Sequence, residues 1–138
     1  MSSVDIAREQ IEAFNAGDWD RFQATIAQDC VYDEPGTQRH VEGSDEILEI
    51  NRGWKGTFPD AHGTVERAVA ADGTVTLEIT WEGTQEGPLP TPEGEIPPSH
   101  RQVKIKAAQV FDIEGDKIKE AHHYFDMAGM LQQLGATG

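Results

Sequence analysis

The sequence predicts an α+β fold in which N-terminal helices cover one face of a strongly curved, mixed or antiparallel sheet. Apolar residues recur at helical spacing up to Trp54, whereas from residue 61 onwards they alternate as strand residues do. Helical segments thus precede a meander of strands, an order typical of α+β folds and not of parallel sheets. With 138 residues the chain has the size of one domain, which we expect to span residues 1–138.

Two helices are predicted at the N-terminus. The first covers residues 3–14, with Ser2 and Asp5 as a start that resembles a capping box, and an Asn-Ala-Gly run ends it. Asp18 then caps a second helix whose apolar stripe includes Ile26. The two helices are expected to meet at a tight corner.

A short strand and a third helix are predicted next. The strand covers Cys30–Glu34 and ends at Pro35, and the loop that follows contains His40. The third helix starts at Ser44, its predicted N-cap, and places Trp54 on its apolar face.

The second half of the chain is predicted to form strands joined by turns. Residues 61–70 and 74–82 alternate on either side of Asp72-Gly73, a strong hairpin signal. Gly83–Pro98 carries five of the seven prolines, and since proline lacks the N–H of a strand ladder, we expect a long loop over the rim. A strand over residues 103–111, a tight turn, a last strand and a short helix complete the chain.

Composition argues against several classes of partner. The chain has 25 acidic and 11 basic residues and a formal net charge of -14, which repels phosphate backbones and anionic membrane surfaces. We therefore expect neither nucleic acid nor membrane as a partner.

The single cysteine, Cys30, can form no internal disulfide, and no leader or anchor segment is predicted, so we expect a cytoplasmic protein. His40, His62 and His100 are too dispersed for a recognisable metal site, and no metal is predicted.

The last strand carries the polar residues of greatest interest. Alternation places His122, Tyr124 and Asp126 on one face and His123 and Phe125 on the other. If the first face lines a cavity, partial desolvation raises the pKa of a carboxyl group towards the range useful for proton transfer. If that face is solvated, the same residues are ordinary surface positions.

Short motifs along nearly the whole chain resemble those of a known family. They are Phe14-Asn15-Ala16-Gly17-Asp18, Glu34-Pro35-Gly36, Phe58-Pro59-Asp60, Gly83-Thr84, Pro97-Pro98, Gly115-Asp116-Lys117-Ile118, and Asp126 with Gln133-Leu134-Gly135. The chain resembles the SnoaL-like polyketide cyclases of the nuclear-transport-factor-2-like (NTF2-like) superfamily. This resemblance implies a cone-shaped α+β barrel, and because that fold hosts many functions it implies the fold more firmly than the activity.

The resemblance implies a cofactor-independent cyclase that performs an intramolecular aldol closure with Asp126 as general acid and base. His122 would orient Asp126 or polarise the substrate. The other interpretation of Asp126 is an N-cap of the closing helix, through amides near Gly129. Small, apolar, carbonyl-containing molecules are the implied substrates. The candidate substrate-binding residues are Tyr32, Trp54, Trp81, Gln109 and Tyr124.

A second carboxylate, Glu34, is a candidate base. It directly precedes Pro35, as the base of the related ketosteroid isomerases precedes a proline. Gln10 and Ala107 or Ala108 stand where those isomerases carry oxyanion donors, so steroid isomerisation is not expected.

Several departures and alternatives stay open. Gln85 follows Gly83-Thr84 where many SnoaL-like proteins carry a histidine. A small-molecule-binding module without chemistry is one alternative, and a dimeric interaction domain is another. The family also implies a homodimer through the exposed face of the sheet, for which His123 and Phe125 are the candidate contacts.

Overall fold

The computed structural model describes residues 2–136 and has the predicted α+β architecture. Of the domain predicted over residues 1–138, the first residue and the last two lie outside the described residues. In chain order the elements are α1 (Ser3–Ala16), α2 (Trp19–Ala24), β1 (Ile26–Glu34), a 3-10 turn (Pro35–Thr37), β2 (Arg39–Glu42), α3 (Ser44–Thr57), β3 (His62–Ala71), β4 (Thr74–Thr84), β5 (Leu89–Thr91), β6 (Gly94–Ile96), β7 (Gln102–Glu114), β8 (Lys117–Phe125) and α4 (Met127–Gln133).

Six strands form one mixed sheet in the order β2-β1-β8-β7-β4-β3. Only the pair β1 and β8 is parallel, and the remaining neighbours are antiparallel. Phe14 of α1 and Phe22 of α2 share one apolar core with Leu77 of β4 and Phe111 of β7. The N-terminal helices therefore cover one face of the sheet, as predicted.

The helix ends at the N-terminal corner are confirmed. Ser2 Oγ accepts from the Asp5 amide and the Asp5 carboxylate accepts from the Ser2 amide, each at 3.1 Å, which completes the capping box. Gly17 ends α1 with a φ of 68°, a left-handed value that suits glycine. The carboxylate of Asp18 accepts from the Arg21 amide at 3.2 Å and caps α2.

Three boundaries differ from the predictions. Ile26 belongs to β1, where it pairs with Ile118 of β8, and not to the stripe of α2. His40 lies in the short strand β2 instead of a loop. Gly43, with a φ of 100°, is the N-cap of α3, and Ser44 is the first helical residue. In the first two cases strand pairing outweighs the local pattern, with distant β8 for Ile26 and with the preceding strand β1 for His40.

The proline-rich segment is not one open loop. It contains the hairpin β5–β6, which is separate from the six-stranded sheet and buries Leu89. Gln85 is fully buried and holds the segment in place. Its Nε2 contacts the carbonyls of Ile96 and Pro97 at 3.2 Å, and its Oε1 accepts from the Ser99 amide at 3.0 Å. Gln85 therefore has a structural role that the sequence did not indicate.

A β-bulge in β8 determines which of its residues face the helices. Opposite β7, Ile113 pairs with Ile118 and Asp112 pairs with Glu120, so Lys119 has no partner in the register. The extra residue shifts the alternation by one position. Ile118 and Ala121 are therefore both buried, although they lie three positions apart.

The alternation predicted for the end of β8 is present, but the face predicted to line the cavity is the outer one. His123 and Phe125 face the space beneath the helices, whereas His122 and Tyr124 face outwards. None of the described helices is long and apolar enough to cross a membrane.

Candidate active site

An apolar cavity with an open mouth lies between the helices and the sheet, and its volume is about 70 Å³. Side chains from α1, α3, β4, β7, β8 and α4 line it. Most are aromatic or aliphatic, and the polar members are His123, Asn51 and Glu82. The apolar wall consists of Phe14, Trp54, Phe58, Ala61, Trp81, Val103, Ile105, Phe125 and Met130, with Gly83 at one side.

The two tryptophans on the wall use their N–H groups within the protein. Trp54 Nε1 donates to Glu34 Oε2 at 3.0 Å, and Trp81 Nε1 donates to His123 Nε2 at 3.2 Å. An indole has one donor and no acceptor. Both rings therefore offer a ligand carbon surface, as an apolar substrate requires.

Behind the Trp54 wall lies a fully buried carboxylate, that of Glu34, with no exposed surface. Its Oε2 accepts from Tyr32 Oη at 2.5 Å in addition to Trp54, and its Oε1 accepts from Thr37 Oγ1 at 2.5 Å. Arg39 Nη1 lies 3.7 Å from Oε1. Hydroxyl-to-oxygen distances this short are typical of bonds to an ionised carboxylate. Burying such a charge is tolerated because donors and a cation surround it.

His123 connects this carboxylate to the cavity. Its Nδ1 lies 3.2 Å from Tyr32 Oη, and Tyr32 in turn donates to Glu34. Since Trp81 can only donate, His123 Nε2 is the acceptor of that contact. In a neutral ring the proton is then on Nδ1, which donates to Tyr32. A continuous chain of hydrogen bonds thus runs from the cavity wall to Glu34.

Burial determines the charge of His123 and of Tyr32, the two groups that link the cavity to Glu34. Burial lowers the pKa of His123 to about 4, although the Glu34 carboxylate favours the charged ring. The imidazole is therefore neutral near pH 7. Burial, together with the nearby Glu34 charge, also raises the pKa of Tyr32 well above its usual value, so the phenol keeps its proton.

Comparison with known proteins gives the family. The model of the SnoaL-like polyketide cyclases matches residues 4–134. The chain belongs to the SnoaL-like polyketide cyclase family. No curated protein matches it.

Solved structures agree with the fold of this SnoaL-like chain. IdmH from Streptomyces antibioticus, assigned as a polyketide cyclase, has a TM-score of 0.82 at 24% identity, over 98% of this chain and 99% of that one. A Jannaschia protein, assigned as a SnoaL-like polyketide cyclase, scores 0.85 at 19% identity, over 99% and 93%. A Catenulispora acidiphila protein with a ketosteroid isomerase-like fold, in complex with trimethylamine, scores 0.82 at 18% identity, over 99% and 96%. The predicted family and cone-shaped α+β fold are confirmed.

In this SnoaL-like protein Asp126 lies outside the cavity wall. Its side chain is exposed, and Oδ1 accepts from the Gly129 amide at 2.8 Å as the N-cap of α4. This is the capping interpretation that the sequence left open.

His122 and Tyr124 lie on the outer face of the sheet. His122 is bracketed by two carboxylates, with Asp33 Oδ2 3.4 Å from Nδ1 and Glu120 Oε1 3.5 Å from Nε2. The Tyr124 side chain is 48% exposed and stacks on the His122 ring. Neither residue contacts Asp126 in the described structure, and none of the three lies on the cavity wall.

The other candidate residues cluster around the cavity. Trp54 and Trp81 lie on its wall, and Tyr32 and Glu34 lie behind it. Gln109 is 5% exposed on the inner face of β7, opposite His123 in the register, and its Oε1 has no hydrogen-bond partner among the described residues.

His123 was not predicted from the sequence as a cavity residue. One signal could have found it: Ile118, Ala121 and Phe125 are apolar, but they do not fit a single alternation. A change of phase between Ile118 and Ala121 indicates an inserted residue and reverses the faces beyond it. In the part of the chain that the structure describes, no group of three or more His, Cys, Asp or Glu side chains could hold a metal ion.

Proposed function

We propose that this SnoaL-like protein is a cofactor-independent acid–base enzyme for a small, largely apolar, carbonyl-containing molecule, with His123 as the group that exchanges a proton with the substrate. The observation that carries the proposal is a neutral imidazole on the wall of a largely apolar cavity. A neutral ring can accept a proton, and a largely apolar wall suits a substrate without charge.

An intramolecular aldol closure fits this arrangement. A base removes a proton from a carbon next to carbonyl groups, the carbanion attacks a second carbonyl, and the new alkoxide takes the proton back. Because the proton is returned, the reaction is an isomerisation and consumes no oxidant or reductant. The family of the chain and the assignments of IdmH and the Jannaschia protein as cyclases support this reaction class.

The geometry favours His123 over Asp126 as the reacting group. The Asp126 carboxylate is exposed and engaged in the cap of α4, whereas His123 lies on the cavity wall. Glu34 is not on the wall, so direct proton abstraction by this carboxylate, as in a ketosteroid isomerase, is not supported.

Turnover of a panel of polyketide β-keto esters by wild type, His123→Gln and His122→Gln tests the proposal. We expect His123→Gln to lower turnover by about 100-fold or more, the usual range for a lost general base. His122→Gln makes the same chemical change at the next residue, on the outer face, and should stay within about twofold. Full turnover by His123→Gln would contradict the proposal.

A non-catalytic binding protein is the second candidate. It is favoured by the two indole N–H groups, which are bound to Glu34 and His123 and so cannot stabilise an oxyanion as they stand. Mass spectrometry of a ligand after prolonged incubation with the protein separates the two candidates. Recovery of every bound panel compound unchanged would favour binding over catalysis.

We also propose a homodimer formed through the outer face of the sheet. The predicted contacts His123 and Phe125 line the cavity instead, so the outward Tyr124 replaces them as the candidate contact.

A cytoplasmic location stays a prediction. The buried, unpaired Cys30 is consistent with a reducing compartment, and recovery of the protein in a secreted fraction would count against that location.

A further inference from the structure

We propose that Glu34 is the proton store of this site and that Tyr32 and His123 relay the substrate proton to it. This rests on the proposed function, since it assumes that a substrate gives up a proton at His123. It adds a destination for that proton, a carboxylate that has no surface in the cavity.

The three groups stand in series. His123 Nδ1 lies 3.2 Å from Tyr32 Oη, and Tyr32 Oη lies 2.5 Å from Glu34 Oε2. Trp81 is the partner of His123 at the cavity end of this series of hydrogen bonds. Its N–H approaches His123 Nε2 at 3.2 Å, near the long limit for a hydrogen bond. A substrate that reaches Nε2 would compete with this contact.

The proton positions give this series of hydrogen bonds a direction. Trp81 fixes Nε2 as the acceptor, so the neutral ring carries its proton on Nδ1 and donates to Tyr32. The carboxylate of Glu34 has no proton to give, so Tyr32 donates to it. Each donor therefore points from the cavity towards Glu34, as a relay requires.

The transfer balances in both directions. When a substrate proton arrives at His123 Nε2, the Nδ1 proton passes to Tyr32 Oη and the phenol proton passes to Glu34 Oε2. The ring and the phenol end neutral, Glu34 becomes a carboxylic acid, and the substrate carries the negative charge. The reverse transfer protonates the new alkoxide. His123 thus never has to hold a positive charge in a buried position that disfavours it.

The surroundings of Glu34 are suited to a carboxylate that is charged at rest. Besides Tyr32, the donors Thr37 and Trp54 contact it, and Arg39 is the nearest cation. These contacts stabilise the charge before a substrate arrives. The competing explanation is structural: the carboxylate would only hold Trp54 and Tyr32 in place on the wall.

Infrared difference spectroscopy separates these explanations. The probe is benzoylacetone, a small apolar 1,3-diketone with an acidic enol. With wild type we expect bound enolate and the carbonyl band of a newly protonated carboxylic acid, and Glu34→Gln should abolish that band. Tyr32→Phe keeps the ring packing but interrupts the relay, so the band should disappear and the bound enolate fraction should fall by about 10-fold or more.

Tyr124→Phe is the matched control, because it removes the chain's other phenol from the outer face, and it should behave like wild type. If Tyr32→Phe binds the diketone with the wild-type band and enolate fraction, the relay is overturned while His123 stays as the base. If His123→Gln is fully active on the β-keto ester panel, or if wild type fails to bind benzoylacetone, the proposed function fails as well.

Discussion

His123 and Glu34 each depend on a hydrogen-bond partner from another element, such as Trp54 of α3 for Glu34. His123 belongs to β8, its hydrogen-bond partners Trp81 and Tyr32 belong to β4 and β1, and Glu34 ends β1. A buried polar group without such a partner destabilises the fold by about 1–3 kcal/mol. The chain of hydrogen bonds therefore stabilises the structure as well as serving the proposed chemistry.

At the residue scale, we predict that His123 makes stability depend on pH. Burial lowers its pKa from 6.5 to about 4, so between these values the unfolded chain binds more protons than the folded one. The contribution of the neutral ring is complete above about pH 6.5 and is lost as pH falls towards about 4.

Urea unfolding at about pH 7 and about pH 4.5 measures this effect. Between the two, wild type should lose about 2–3 kcal/mol more free energy of unfolding than His123→Gln, as follows from the pKa difference. His122→Gln, on the outer face, serves as the control for a general effect of removing a histidine. An identical loss in wild type and His123→Gln would show that His123 titrates normally.

At the element scale, the end of β8 faces the cavity, whereas the residue that directly follows it caps α4. The bulge at Lys119 turns His123 and Phe125 inwards, and α4 then begins at once with Asp126 as its N-cap. α4 is a short helix, but its Met130 lies on the cavity wall. The cap therefore supports the cavity without facing it.

We predict that Asp126 acts through its cap and not through its charge. Asparagine caps helices about as well as aspartate, so Asp126→Asn should keep both the melting temperature and turnover. Asp126→Ala should lower the free energy of unfolding by about 1 kcal/mol, the usual effect of losing a cap. Asp18→Ala, at the N-cap of α2, provides a matched cap deletion away from the cavity. A loss of turnover of about 100-fold in Asp126→Asn at unchanged stability would restore Asp126 as the general acid and base.

At the scale of the whole molecule, the helices cover only one face of the six-stranded sheet. The outer face carries polar side chains and the exposed Tyr124, and the chain has a net charge of -14. At low salt this charge opposes association of two copies, whereas added salt screens it.

We predict a homodimer at micromolar concentration in moderate salt. Sedimentation equilibrium should give twice the mass of the 15.2 kDa chain, and Tyr124→Glu should shift the protein towards one chain by adding a charge at the proposed contact. Circular dichroism of Tyr124→Glu controls for loss of folding. A single-chain mass for wild type across the micromolar range would rule out the dimer.

The candidate site shows how far local sequence patterns reach. Tyr32, Glu34, Trp54 and Trp81 were singled out from the sequence, and all four lie on or directly behind the cavity wall. His123 was assigned to the outer face because the resemblance put Asp126 in the cavity, and alternation then placed His123 on the opposite face; the bulge at Lys119, which sets the faces beyond it, was not predicted. A bulge depends on how β8 pairs with β7, and a single strand does not display its partner's register.

By itself, the sequence determined the α+β class, the order of the helices and long strands, the capping of α1 and α2 and the Asp72-Gly73 hairpin, because periodicity, caps and turns act over a few residues. Only the tertiary structure decided that His123 and not His122 faces the cavity, and that Tyr32 and Glu34 stand behind it. These positions follow from strand register and sheet curvature. Register and curvature are properties of several paired strands together, so no single segment encodes them.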